Sequence, residues 1–531
     1  MFAIRVENLR CLEDTGFIEI KPITLLLGKN SSGKSSFLRL FPLLRQSFES
    51  AARIEGPILW YGNLVDFGSF REALNKNDNS QEIVLHFRFH LSSSKALPPR
   101  FLSPRFLPRG YELKVLEDLE ITLKVVIVEN EKSGILYTKD LSLTFAGHTV
   151  DVSVDYEGKV TKFFVNSHEI PSNGLCAIKQ QKLIPELSDD KEMGKENFPF
   201  FIRILNLLFL DDLCSKIKKQ AHYKTKDNTI LSLAMSFGIG STDAMLRDMQ
   251  SNSDLETWKK KSSTWTLDNE DFKIIRDLTL AFRSDVLFSL CNDYISYLAR
   301  RSSYIAPLRA TAERYYRIRN LVVDEVDFQG ENLSMLLLNL SIIDKRRFSD
   351  FCKWTEKHFD FTIVVKGEGE GEQVSLRIKE VGSRDFNLAD SGFGFSQVLP
   401  ILTQLWLLSS KSKSGRFETS DMSFAIFAIE QPELHLHPAL QAKLADAFLA
   451  AIEAAKEIGI NLCLIIETHS ETMVNRFGHR IANKEMNHKD INVVLFDKER
   501  ADDSAEVRVV GYDEDGFLED WPIGFLSPEM I

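Results

Sequence analysis

No run of apolar residues in this 531-residue chain approaches the roughly 18 that a membrane-spanning helix requires. The opening residues, MFAIRVENLR, hold no apolar core of a secretion signal. The expectation is therefore a cytoplasmic protein with no membrane partner. Cysteine is sparse: Cys11, Cys176, Cys214, Cys291, Cys352 and Cys463 lie far apart and form no CxxC pair. That argues against a disulfide framework or a zinc ribbon. Positive charge is not in excess either, with 65 Lys plus Arg against 76 Asp plus Glu and a net charge of -11. Coating of nucleic acid through bulk charge is disfavoured, although a local basic groove is not. Neither an internal repeat nor a sustained heptad run is present. What remains, 44% hydrophobic and 27% charged, is ordinary globular composition over a length that accommodates two or three domains.

Apolar patterning divides the chain into three parts. Residues 2–7 and 17–27 read as strands, and a helix follows from about Lys34, with Phe37, Leu38, Phe41 and Leu44 at helical spacing. Pro42 is expected to kink or end it. Segments 83–90, 112–128 and 134–166 alternate apolar and polar residues as antiparallel strands do. From about 175 to 350 the pattern is largely helical. Strands return at 361–366 and 373–380, then a helix from Ser391 to Leu408, and then two strongly apolar strands, Phe424–Ile429 and Asn461–Ile466, flanking the helix Pro438–Ala455. The expected architecture is an α/β head built from both chain ends, 1–175 with an antiparallel β subdomain and 351–531, around a helical insertion at 176–350.

Gly28 to Ser35 reads GKNSSGKS, a phosphate-binding P-loop between a buried strand and a helix. Glycines let backbone N–H groups wrap phosphates without a Cβ clash, a lysine bridges the β- and γ-phosphates, and a serine hydroxyl ligates Mg²⁺. The candidate ATP contacts are Gly28, Asn30, Ser31, Gly33, Lys34, Ser35 and Ser36, with Ser35 the candidate Mg²⁺ ligand. A P-loop also needs an acid at the end of a neighbouring buried strand. Phe424–Ile429 supplies the strand and Glu430 the carboxylate for Mg²⁺.

Glu430 opens the segment Glu430-Gln-Pro-Glu-Leu-His-Leu-His-Pro438, which resembles the Walker B and D-loop of the ABC/SMC-like ATPases. Leu388 to Pro400, LADSGFGFSQVLP, looks like their signature motif, with Ser391, Gly392, Gly394 and Ser396 the residues that would face the γ-phosphate held by an opposite protomer. Glu467-Thr-His-Ser470 is similar to the switch-histidine motif, with His469 the histidine. Asn8 to Cys11 resembles the family's opening, which implies that Arg10 approaches the nucleotide. The resemblance implies an ABC/SMC-type P-loop ATPase head that binds ATP and Mg²⁺ and forms a homodimer or higher homo-oligomer through its heads. The catalytic candidates are Glu430, Gln431, Glu433 and His469.

At one position the chain departs from that pattern. The residue after the Walker B acid is usually the glutamate that polarises the attacking water, and here it is Gln431. A carboxamide can orient water but cannot take its proton. Either hydrolysis is slow, or Glu433 supplies the carboxylate. The glutamine of a Q-loop is not identifiable near Tyr61–Gly68, where Asn63 and Asp66 are substitutes. His435 and His437 form an HxH pair with no third metal ligand at a convincing spacing.

Tyr304–Arg309 and Asp515–Phe525 resemble a subgroup, the defence ATPases typified by PtuA of the Septu and retron-linked anti-phage systems. That resemblance implies an HNH nuclease partner of the PtuB kind. Two other readings compete. An OLD-type ATPase–nuclease would carry a TOPRIM domain, and only 62 residues follow His469. An SMC-like DNA-repair ATPase would want a long coiled coil. Lys216–Lys219, Lys224, Lys226 and Lys259–Lys261 could touch nucleic acid, though such runs are more often solvated faces.

Overall fold

The computed structural model describes residues 2–50, 56–76, 81–91, 113–172, 174–178, 182–189, 207–251, 255–318, 323–368, 373–391, 393–410, 423–498, 500 and 503–519. The chain divides into two compact units, one of residues 1–9, 47–61 and 67–297, the other of residues 10–46, 62–66 and 298–531. Among the described residues no helix is long and apolar enough to cross a membrane.

The first unit is built on an antiparallel meander. Phe2–Leu9 pairs with Glu82–Leu91, which pairs with Leu119–Glu129. Leu136–Phe145, His148–Val154 and Val160–Val165 follow in order. Alternate side chains are buried along His148–Val154, as expected for a sheet with one covered face. The helices Phe70–Ala73, Leu207–Gln220, Asp227–Ser236, Thr242–Ser251, Glu256–Ser262 and nearly all of Glu270–Arg300 lie in the same unit.

The second unit holds the candidate site. The elements that build the site are, in chain order, β1 (Ile23–Gly28), α1 (Lys34–Leu38), α2 (Leu40–Glu49), β2 (Ser302–Ile305), α3 (Phe393–Ser409), β3 (Ser423–Glu430), α4 (Pro438–Glu457), β4 (Ile460–Glu467), α5 (Glu471–Ala482), β5 (Ile491–Asp497) and β6 (Glu506–Val510). The sheet runs β2-β3-β4-β1-β5-β6, parallel except for the β5–β6 edge pair. Near-continuous apolar runs such as FAIFAI and NLCLII suit central parallel strands because both faces are covered. From α4, Leu444, Phe448 and Ala451 pack into that core, as do Val398, Leu402 and Leu405 from α3. Proline at the first position of α4 and the His437 cap before it start that helix cleanly. A small antiparallel sheet, Phe361–Glu368 with Gln373–Glu380, lies in the same unit.

Three sequence expectations need correction. The strand carrying Glu430 is not beside the P-loop strand: β4 lies between β1 and β3. Two apolar strands of equal length carry no order in their sequence, because order is set by which connections cross over. The first helix breaks at Arg39, three residues before Pro42. Pro42 lies in the first turn of α2, where its missing N–H has no intrahelical partner to lose. The signature helix begins at Phe393 rather than Ser391, after a 3-10 turn over Leu388–Asp390.

Candidate functional site

The loop after β1 is shaped by its two glycines. A Cβ on Gly28 would stand 2.1 Å from the Phe496 carbonyl oxygen, and the residue sits at φ 148°. A Cβ on Gly33, at φ 107°, would stand 2.6 Å from Leu12 Cδ2 and 3.0 Å from Cys11 Sγ. Only a residue without a side chain fits either place. Asn30 and Ser31 are exposed at the rim, and Ser31 takes a left-handed φ of 62°. Lys34 is 3% exposed and its Nζ donates to the carbonyls of Gly28 at 2.8 Å and Lys29 at 2.7 Å. Burial pulls its pKa down, opposed by Glu467 and Glu433. The Ser32 hydroxyl is sealed from solvent with no hydrogen-bond partner, and it would lie 2.9 Å from a Cβ on Gly28.

A glycine cradle, an orphaned hydroxyl and a buried ammonium together fit a polyphosphate, because each is a donor or a space that phosphate oxygens would occupy. Ser35 and Ser36 begin α1. That helix has only five residues, so its dipole is a smaller contributor than the sequence implied.

The acids gather at the carboxyl ends of β3 and β4, where Glu430 and Glu467 are register partners. Glu430 is 2% exposed. Its two oxygens take a fork from Arg39, Nε to Oε1 at 2.6 Å and Nη2 to Oε2 at 2.8 Å. The Tyr304 hydroxyl donates to Oε1 at 2.8 Å. Burial alone would lower the Arg39 pKa, and the pairing with Glu430 outweighs it and raises it. Burial, then Glu430, raises that of Tyr304.

Arg309 Nη2 donates to the Glu430 carbonyl at 2.9 Å. The Arg309 carbonyl in turn accepts from Gln397 Nε2 of α3 at 3.4 Å. Burial brings the Arg309 guanidinium down to about 10. Gln431 takes a φ of 42° and its N–H donates to the Glu467 carbonyl at 2.8 Å. This bond ties the turn after β3 to the end of β4.

Glu433 is held at both oxygens. Oε2 accepts from Thr468 Oγ1 at 2.8 Å and Oε1 from the His469 N–H at 2.7 Å. Burial nevertheless raises its pKa. Glu467 is 3% exposed and its Oε2 has no hydrogen bond. Burial, then Glu430, pushes its carboxyl up to about 7, with a hydrogen bond from Ser35 and the charge of Lys34 opposing. Burial, then Lys34, pulls His469 down to about 4, which leaves the imidazole neutral at pH 7.

Lys34, Ser35, Glu430, Glu433 and His469 thus meet in one polar cluster. Arg10 donates to the Asp66 carbonyl at 3.3 Å and precedes Cys11, the neighbour of Gly33. The signature residues gather elsewhere: Gly394 approaches the His435 carbonyl, and the Ser391 hydroxyl donates to the Leu388 carbonyl at 2.6 Å. Gly392 lies outside the described residues. His437 caps α4 by accepting from the Ala439 N–H at 3.3 Å. The glutamine that orders residues 62–66 is Gln46, whose Oε1 accepts from Leu64 and Val65 and whose Nε2 donates to the Val65 carbonyl. Sequence reasoning missed Arg39, Glu467 and Gln46. Only Glu467 carried a signal, as the last residue of a buried apolar strand.

A family model described as the AAA ATPase domain matches residues 1–474. No curated protein matches the chain. Among solved structures, an Smc head bound to the C-terminal winged-helix domain of ScpA is similar at 10% identity, over 96% of this chain and 97% of that one, with a TM-score of 0.35. An Smc head domain with coiled coil and joint derived from Pyrococcus yayanosii gives 10% identity, 97% and 98% coverage and a TM-score of 0.33. The SMC head domain from Thermotoga maritima gives 8%, 96% and 98%, and 0.30.

Proposed function

We propose, because this chain belongs to the AAA ATPase domain family and is an ATPase, that it works as a slow ATP-gated switch whose heads associate around ATP. The observation that carries the proposal is the buried cluster at the carboxyl edge of the parallel sheet. There Lys34 and the orphaned Ser32 hydroxyl lie beside Ser35, Glu430 and Glu467. When bound, ATP supplies the transferable γ-phosphoryl group and Mg²⁺ offsets its charge. Lys34 and the loop N–H groups would hold the phosphates, and Ser35 with a carboxylate from the Glu430–Glu467 pair would hold Mg²⁺.

Slow turnover follows from the groups available to take a proton. Gln431 can orient water but has no basic site. Glu433 is held in place at both oxygens by Thr468 and the His469 N–H, which fixes its direction away from free rotation toward a water. His469, neutral and half-buried, is suited to hydrogen-bonding a phosphate oxygen or water.

On this reading the head draws on both chain ends, 1–175 and 351–531, and the segment 176–350 between them adds the strand Ser302–Ile305 with Tyr304 and Arg309 to it. Each Ser391–Ser396 segment caps the partner's P-loop, and association gates an HNH nuclease in anti-phage defence. Support for the dimer is the signature motif at the start of α3, and support for defence is the resemblance of Tyr304–Arg309 and Asp515–Phe525 to PtuA-type ATPases. Cytoplasmic location and contact with nucleic acid belong to the same proposal.

Fluorescent-ATP binding tests the site. Lys34→Ala should abolish it, and undiminished binding would refute the assignment. Sedimentation with a non-hydrolysable ATP analogue tests the dimer. Gly392→Arg should block association while leaving monomer binding intact, and unchanged association would refute the capping arrangement. An HNH nuclease encoded beside this chain should co-purify with it, and failure to do so would remove the defence reading.

A further inference from the structure

We propose that Glu467, rather than Glu430, supplies the carboxylate oxygen that reaches the divalent cation beside Ser35, and that Glu430 is an anchor committed to Arg39 and Tyr304. The inference rests on the reading of this cluster as an ATP and Mg²⁺ site. It follows from accounting for every oxygen of the three acids.

Both Glu433 oxygens are engaged, one by Thr468 and one by the His469 amide. Glu430 is held at both oxygens too. Arg39 holds both its oxygens at 2.6 and 2.8 Å, and Tyr304 adds a second bond to Oε1. Glu467 Oε2 is different. It is sealed from solvent and has no hydrogen bond, on a residue 3% exposed. A buried carboxylate oxygen without a partner is costly, and such orphans in native structures commonly mark an absent ion or water.

Position points the same way. Glu467 ends β4, the strand paired directly with the P-loop strand, opposite Leu26 and so near the start of the loop at Gly28. Glu430 ends β3, one strand further away. Ser35 stands close enough to the Glu467 carboxylate to hold its pKa down against burial. A Mg²⁺ ion holds its oxygen ligands at about 2.0–2.1 Å, so the second ligand must stand beside the first. Glu430 would have to share its oxygens between the cation and the Arg39 fork.

Charge balance completes the argument. The two buried carboxylates are register partners, Arg39 offsets the first and Lys34 lies close enough to act on the second. Once Lys34 turns to phosphate, Glu467 keeps only the charge of Arg39, which Glu430 shares, and a divalent cation makes up the difference.

The test uses the full chain with a non-hydrolysable ATP analogue, Mn²⁺ as the probe, and electron paramagnetic resonance to count free Mn²⁺. Glu467→Gln should weaken Mn²⁺ binding about tenfold or more. Its affinity for the metal-free analogue should be unchanged or tighter, because a negative charge has been removed near the phosphates. Glu430→Gln should weaken Mn²⁺ binding less than about threefold, since the carboxamide still accepts from Arg39.

Wild-type Mn²⁺ affinity in Glu467→Gln, or the large loss falling on Glu430→Gln, would overturn the inference and leave the nucleotide site standing. Absence of nucleotide-dependent Mn²⁺ binding in the wild type would overturn both. Should Glu467→Gln also lose the metal-free analogue, Glu467→Asp decides. Affinity for Mn²⁺ between wild type and Gln supports the carboxylate role, and equal loss in Asp and Gln refutes it.

Discussion

Replacing Arg39 by Met removes the fork from a carboxylate that is 2% exposed and leaves Tyr304 as its remaining side-chain donor. Breaking a buried ion pair from one side costs about 3–5 kcal/mol. The Arg39 side chain is 29% exposed, so water already competes for it and the lower end applies, about 3 kcal/mol. Glu430→Gln alone is milder. It leaves a hydratable guanidinium still donating to a carboxamide, and costs about 1 kcal/mol. The double variant Arg39→Met with Glu430→Gln buries no unpaired charge, so it should be more stable than Arg39→Met by about 1–2 kcal/mol.

Native-state hydrogen exchange of the Ser423–Glu430 amides reports this directly, because 3 kcal/mol of lost protection is just over a hundredfold faster exchange. Acceleration below about fivefold in Arg39→Met would refute the reasoning, as would a double variant no better than Arg39→Met. Either result would mean that Glu430 is neutralised by something other than Arg39.

Gly28→Ala should be far more damaging than Gly16→Ala, since its Cβ meets the Phe496 carbonyl at 2.1 Å while nothing lies within 4 Å at Gly16. Thermal melting should show a loss beyond the 1–3 kcal/mol of backbone strain alone, and nucleotide binding should fail. Glu467 and His469 should tilt the pH dependence of stability in opposite directions. The folded Glu467 pKa, about 7, lies above its unfolded value, so the folded state binds the extra proton and stability falls as pH rises towards 7. The folded His469 pKa, about 4, lies below its unfolded value, so the unfolded state binds the extra proton and stability rises from pH 4 to about 6.5. Urea midpoints across pH 4–7 should therefore rise more with pH in Glu467→Gln and less in His469→Gln than in the wild type, and parallel curves would contradict both assignments. Gln431→Glu should raise steady-state phosphate release about tenfold or more by providing a general base. Vigorous wild-type turnover that disappears in Glu433→Ala would instead make Glu433 the base.

How much was legible in the sequence depends on how local each signal is. GKNSSGKS declared a phosphate loop because its chemistry sits within eight consecutive residues and its glycines are required by the loop's own path. The apolar strands and the amphipathic meander were readable for the same reason. The Glu430–Pro438 segment announced an acid at a strand end, but whether that acid's oxygens were available depended on partners far along the chain, Arg39 and Tyr304.

Strand order was equally out of reach. Nothing in FAIFAIE or NLCLIIE states which strand lies beside β1, because equal hydrophobic runs fit either slot and the crossover connections decide. Pro42 misled because a proline reads alike in the middle of a helix and in its first turn. By itself, then, the sequence determined the chemistry carried by contiguous residues: the phosphate loop, the carboxamide of Gln431 beside the Glu430 acid and the α/β class. Only the tertiary structure decided which carboxylate keeps a free oxygen, since that depends on placing Arg39, Tyr304, Thr468 and Ser35 around three acids drawn from two strand ends and a turn. Hydrogen bonds that close across hundreds of residues leave no periodicity or spacing to read.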